Sequence, residues 1–221
     1  MTTLSLTAAA FGLWLASSSA LAQSGTSTCP GSAGDGTWPP QRTLGEQALG
    51  SPQLRPGTTR PTAGTTLALS PELAGTTILS ESVTVTFLAP SGLVTVVLQQ
   101  SVVNAANKSC VNYWQAGVTA ESAVAVDEVL LTKFTHPKTH LYANYRTDLG
   151  PGIGSTNASR SAGKGNTITF HIPGGIAPGQ TSAPLFLDTS VGATHKTGFV
   201  QFHTTDGGLS PPIPTWVPVW P

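Results

Sequence analysis

Apolar residues recur at every second position in the run Thr167-Ile168-Thr169-Phe170-His171-Ile172, and the same spacing returns at Leu185 and Leu187, then at Val200 and Phe202. Pro173-Gly174-Gly175 and Pro178-Gly179 interrupt the first two runs, and Asp206-Gly207-Gly208 closes the third. A period of two sends alternate side chains to opposite faces of an extended chain, so each run reads as a half-buried strand. Ser82-Val83-Thr84-Val85-Thr86-Phe87-Leu88 repeats the pattern upstream. With 24 Gly and 18 Pro among 221 residues, turns are frequent and long helices are not expected. The chain is therefore all-β, a single antiparallel β-sandwich. Its predicted core is Val83, Val85, Phe87, Ile168, Phe170, Leu185, Leu187, Val200 and Phe202.

Two neighbouring stretches refine that picture. Thr66-Leu67-Ala68-Leu69-Ser70-Pro71 reads as a short first strand. Ala89-Pro90-Ser91-Gly92 turns the chain, and the near-continuous apolar run Leu93–Leu98 predicts a central strand covered on both faces.

The ends of the chain differ in character. Residues 1–22 carry an apolar centre, Phe11–Leu15, and finish in Ala20-Leu21-Ala22, a small-x-small cleavage pattern. They are expected to form a signal peptide, although the segment before the apolar centre lacks Lys and Arg. No later segment approaches the roughly 20 apolar residues of a membrane span. Residues 23–64 are rich in Pro, Gly, Ser and Thr and are expected to be an irregular arm. The domain proper is placed at 65–221, with an insertion at about 99–165 that includes a Gly/Ser/Asn-rich loop from Gly150 to Gly165. The two cysteines, Cys29 and Cys110, both follow the cleavage site, and in an oxidising compartment they most simply form one bridge. A secreted, periplasmic or extracellular location follows.

Leu67-Ala68-Leu69-Ser70-Pro71-Glu72-Leu73-Ala74-Gly75-Thr76, then Val83-Thr84-Val85 and Ala89-Pro90-Ser91-Gly92, resembles the opening strand, turn and hairpin of the immunoglobulin-like repeats of bacterial secreted and surface proteins. Ile176-Ala177-Pro178-Gly179-Gln180-Thr181-Ser182-Ala183, with the alternating residues after it, is similar to a later turn of the same group. The resemblance covers about a third of the chain and implies an immunoglobulin-like sandwich serving adhesion or spacing. The almost seventy residues between Leu98 and Thr167 depart from that pattern, and the chain holds one domain, not a tandem array.

Candidate functional groups are few. Ten basic and ten acidic side chains cancel and do not cluster, so no nucleic-acid partner is expected. Tyr113, Trp114, Tyr142 and Tyr145 concentrate in the 99–165 stretch and are the candidate ligand-binding residues. Trp216 and Trp220 pack as a last strand or offer a sugar-stacking pair. His136 and His140 lie four apart with Asp148 following, but a turn through Pro137-Lys138 without a third ligand at a motif distance reads as surface histidines, and no metal or cofactor is expected. Asp127 and Glu128 are adjacent, which in a regular strand sends them to opposite faces. His171 and His203 fall opposite the apolar residues of their strands, as solvated groups or cross-strand partners, with a Ser-His-Asp role a remote alternative. Asn107-Lys108-Ser109 and Asn157-Ala158-Ser159 match the N-glycosylation pattern.

The expected function is that of a secreted, non-catalytic structural, adhesive or interaction protein, with a protein or glycan partner at the cell surface. The alternative is a carbohydrate-binding module or an accessory protein of an extracellular hydrolase.

Overall fold

The computed structural model describes residues 26–29, 53–106, 109–134, 141–189 and 193–218. Residues 1–22, most of the arm, His136, His140, Asn107, Lys108 and Trp220 lie outside the described residues. The strands are β1 (Thr26–Thr28), β2 (Thr59–Pro61), β3 (Gly75–Ala89), β4 (Gly92–Ala105), β5 (Cys110–Val118) and β6 (Val126–Thr132). They continue as β7 (Tyr142–Tyr145), β8 (Asn157–Arg160), β9 (Thr167–Ile176), β10 (Leu185–Asp188), β11 (Ala193–Thr204) and β12 (Ile213–Pro218). One short 3-10 turn, Pro71–Leu73, precedes β3.

These strands form two antiparallel sheets. The five-stranded sheet runs β3-β4-β5-β10-β7, and the seven-stranded sheet runs β1-β11-β6-β9-β8-β2 with β12 also on β11. One core joins them: Phe87, Val94, Val96, Leu98 and Trp114 from the first sheet meet Val129, Leu131, Ile168, Phe170, Val200 and Phe202 from the second. The period-two residues read from the sequence are thus the ones that face inward, with Val83 and Val85 half-buried at its margin. The chain is all-β, as its composition demands.

Cys29 and Cys110 are bonded, closing 81 positions of sequence. Cys29 follows β1 of the seven-stranded sheet and Cys110 begins β5 of the five-stranded one, so the bridge ties one sheet to the other. Val102 and Trp216 pack around it.

The turn at Ala177–Gln180 shows how local chemistry sets geometry. Pro178 stands at its second position, Gly179 at its third with φ +80°, and Gln180 N–H donates to Ala177 O at 2.9 Å. That is a type II turn, whose third residue needs a positive φ.

Three local expectations are corrected. Thr66–Ser70 is a turn, not a strand: Leu69 and Ser70 N–H both donate to Thr66 O, and Thr65 and Ser70 share a 2.7 Å hydroxyl contact. Short hydroxyl side chains that bond nearby backbone compete with strand formation. The second correction concerns Leu93–Leu98. Val94, Val96 and Leu98 are buried, but Leu93 is 60 % exposed and Thr95 and Val97 only half-buried, so β4 is covered on one face here. Its neighbours β3 and β5 complete its hydrogen bonds without roofing its other side. The third is the Gly150–Gly165 loop, which contains strand β8 with Ala158 and Arg160 buried.

The stretch from 99 to 165 supplies β5, β6, β7 and β8 as well as the end of β4. In the arm, β1 pairs with β11, β2 pairs with β8, and Leu54 is buried in the main core.

Candidate functional site

Alternation along β5 separates two adjacent aromatics. Trp114 points inward, 1 % exposed, with its indole N–H donating to Thr215 Oγ1 at 2.8 Å and its ring edge-on to Phe134. Tyr113 points to the outer face of the five-stranded sheet. The pairing of β10 sorts the other two candidates the same way. Leu185 stands beside both Trp114 and Tyr145 in the inward row, whereas Phe186 stands beside Tyr113 and Asp188 beside Tyr142 in the outward rows. Tyr145 is also confined: a Cβ added at Gly154 would lie 2.3 Å from its ring, and one at Gly64 2.8 Å. The four aromatics therefore form no common platform. Two belong to the interior side and two to the outer face.

Around Tyr113 the outer face is built up. Leu73, Ala105, Val111 and Phe186 pack with it as a small second core. Arg146, 3 % exposed, grips Asp148 with two hydrogen bonds, Nε to Oδ1 at 2.7 Å and Nη2 to Oδ2 at 2.8 Å. Asp148 Oδ2 also accepts the Leu67 N–H at 2.8 Å. The pair thus pins the 66–70 turn over the sheet, with the Arg146 guanidinium 3.5 Å from the Tyr113 hydroxyl. The Arg146 hydrogen bonds hold the Asp148 carboxyl down at about 2. Burial raises the Tyr113 hydroxyl above its ordinary value, with Arg146 opposing the shift.

Between this turn and the sheet lies a groove of about 350 Å³. Gln99, Ser101, Gln115 and Tyr113 line it from the sheet and Leu67, Leu73 and Leu149 from the cover, with Arg146 also in the lining. Its volume lies in the range of small-ligand sites. The charge of Arg146 is already matched by Asp148, so the lining offers amides, hydroxyls and aliphatic surface rather than net charge. Such a surface suits a neutral polar ligand or an extended peptide. Sequence reading identified Tyr113 but missed Arg146, Gln99, Gln115 and the part that Asp148 plays, residues that come together only through pairing of distant strands.

The outer face of the seven-stranded sheet carries a different constellation. His203, Glu128, His171 and Asn157 stand side by side across β11, β6, β9 and β8. His171 Nδ1 lies 2.8 Å from Glu128 Oε1 and its Nε2 lies 2.9 Å from Ser159 Oγ. His203 Nδ1 lies 2.9 Å from Asp127 Oδ1. Asp127 and Glu128 therefore share a face, against expectation. Against β11 the register shifts from Glu128 opposite His203 to Val126 opposite Thr204, a bulge that inserts one residue into β6 and turns both carboxylates outward while Val126 and Val129 stay in the core.

The Ser159-His171-Glu128 chain has the hydrogen-bond order of an acyl-transfer triad. Ser159 lies within β8, in register with Thr59 of β2 on one side and Thr169 of β9 on the other. Its neighbouring backbone amides serve that ladder, whereas a triad needs N–H groups aimed at a developing oxyanion. The geometry reads as a row of cross-strand polar pairs. Histidines as cross-strand partners were legible from their alternation alone.

Trp216 is 7 % exposed against the disulfide, with Lys196 Nζ 5.1 Å from its ring. Asn157 and Ser159 lie in paired β8. Among the described residues no three His, Cys, Asp or Glu side chains group as metal ligands, and no helix is long and apolar enough to cross a membrane. Comparisons with protein-family models, with curated proteins and with solved structures each return no match.

Proposed function

We propose that this chain is an extracellular, non-catalytic interaction module on an immunoglobulin-like β-sandwich, binding its partner in the groove over β4 and β5. The observation that carries the reading is the groove itself. Its cover is clamped by the Arg146–Asp148 pair, its lining is uncharged in sum, and it opens onto the outer face. A clamped cover means that little ordering entropy is lost when a partner binds, which favours affinity.

Strand order supports the immunoglobulin-like part. Consecutive strands β6 to β10 place β6-β9-β8 in one sheet and β7 beside β10 in the other. That is the arrangement of the second to sixth strands of an immunoglobulin sandwich. β11 beside β6 and β5 beside β10 occupy the places of its first and last strands, reached from the opposite ends of the chain. The bonded Cys29–Cys110 pair supports an oxidising compartment, and with it export directed by residues 1–22.

The partner is a protein segment at a cell surface. Tyr113 offers no open ring face, and the exposed aliphatic rim at Leu67 and Leu149 suits an apolar side chain. A neutral glycan is the second reading, favoured by the amides of Gln99 and Gln115. A pull-down from cell-surface extracts and a glycan array, each run with the mature chain and with Gln99→Ala/Leu149→Ala, test both. Loss of capture at unchanged thermal unfolding is expected. Equal capture by the variant, on both supports, would remove the groove as the binding surface.

A further inference from the structure

Edge strands expose unpaired backbone groups that template pairing with another chain, and proteins blunt them with shortness, Pro, Lys, bulges, inward-pointing charges or cover. Most of the edges among the described residues follow that rule. β1 and β2 are three residues long, and β2 ends in Pro61. β7 has four residues, and β12 contains Pro214 and Pro218. β3 breaks the rule. It is fifteen residues long, Gly75–Ala89, contains neither Pro nor Lys nor Arg, and among the described residues pairs only with β4. Its one charge, Glu81, is held by Lys196 of its own chain.

From the geometry we infer that β3 is a self-association edge, pairing antiparallel with β3 of a second copy about a two-fold axis at Thr84. The register follows from the strand itself. A bulge between Thr77 and Leu79 ends the regular run, which then spans Leu79 to Ala89 and has Thr84 at its centre. Pairing about that centre sets Thr84 opposite Thr84, Ser82 opposite Thr86 and Val83 opposite Val85. Thr84, Thr86 and Ser82 are exposed, while Val83 and Val85 are half-buried on the core side. Hydroxyl thus meets hydroxyl on one face and β-branched side chain meets β-branched on the other, the pairs that stabilise antiparallel sheets. Glu81 falls opposite Phe87, so the two copies set no like charges against each other. The strand is complementary to itself, and no second long open edge exists among the described residues to serve as its partner. The closed two-fold product is a dimer with one continuous ten-stranded sheet.

This inference is independent of the groove reading. Light scattering and sedimentation of the mature chain should give a dimer, and Thr84→Lys, which places like charges directly opposite across the axis, should give a monomer with unchanged thermal unfolding. A short bis-maleimide should link Thr84→Cys to itself and leave Thr76→Cys, beyond the bulge, unlinked. A wild-type monomer, a Thr84→Lys dimer, or equal linking at positions 84 and 76 each overturns it. Groove capture by monomeric Thr84→Lys protein is expected to persist, which separates the two tests.

Discussion

The outer faces of the two sheets solve the same problem differently. On the seven-stranded sheet, polar side chains from neighbouring strands satisfy one another laterally: His203 with Asp127, and Glu128 with His171 and Ser159. On the five-stranded sheet, a turn and a 3-10 segment roof the surface and are held by a buried arginine and its carboxylate. The first solution needs only correct register and leaves a closed polar surface. The second encloses space, and a groove follows from it. The groove proposed here for binding therefore lies on the face that is roofed rather than on the one richer in His and carboxylates.

The largest effect should come from separating the faces' common support. Replacing Cys29 and Cys110 by Ser removes the link between the sheets, and loop-closure entropy over 81 positions puts the loss at up to about 4–5 kcal/mol. Urea unfolding of both forms measures it, and a loss under about 1 kcal/mol would show that the sheets hold together without the staple.

The roof comes next. Asp148→Asn leaves Arg146 buried with its bidentate partner gone, at a cost of about 2–3 kcal/mol. The variant should also change the acid response. Because the folded carboxyl is held at about 2, below its ordinary 3.8, its contribution is complete above roughly pH 4 and is lost as pH falls toward 2. Stability between pH 4 and 2 should fall more steeply in the wild type than in Asp148→Asn. Parallel curves would assign the clamp no linkage.

The smallest effect is predicted for the lateral row. His171→Ala removes two half-exposed cross-strand contacts and should cost about 1 kcal/mol or less. A loss near that of Asp148→Asn would make the polar row as structural as the roof and erase the contrast.

How far each face was legible follows from the range of the interactions involved. Ile168, Phe170, Val200 and Phe202 announced themselves, because burial on one side of a strand imposes a local period of two. The same period put His171 and His203 on the opposite face. Asp127 and Glu128 misled, because a bulge is a relation between two strands, here β6 and β11, and leaves no mark in two adjacent acids. Tyr113 and Trp114 could be chosen as aromatics, but which faced outward depended on the pairing of β5 with β10, some seventy residues later. Arg146 gave no signal and Asp148 drew notice only beside His136 and His140, since the meaning of the pair lies in reaching back to the Leu67 amide.

The sequence by itself determined an all-β chain, the predicted residues of its inner faces, the cysteine pair and a Pro-Gly turn at Pro178-Gly179, because each rests on spacing, count or backbone preference within a few residues. Only the tertiary structure decided the strand order, the bulge at Asp127, the roof over Tyr113 and the long edge of β3, unpaired among the described residues. These depend on contacts across up to 169 positions of sequence, Thr26 to His195, where the free energy of pairing depends on which distant partner arrives and not on any local pattern.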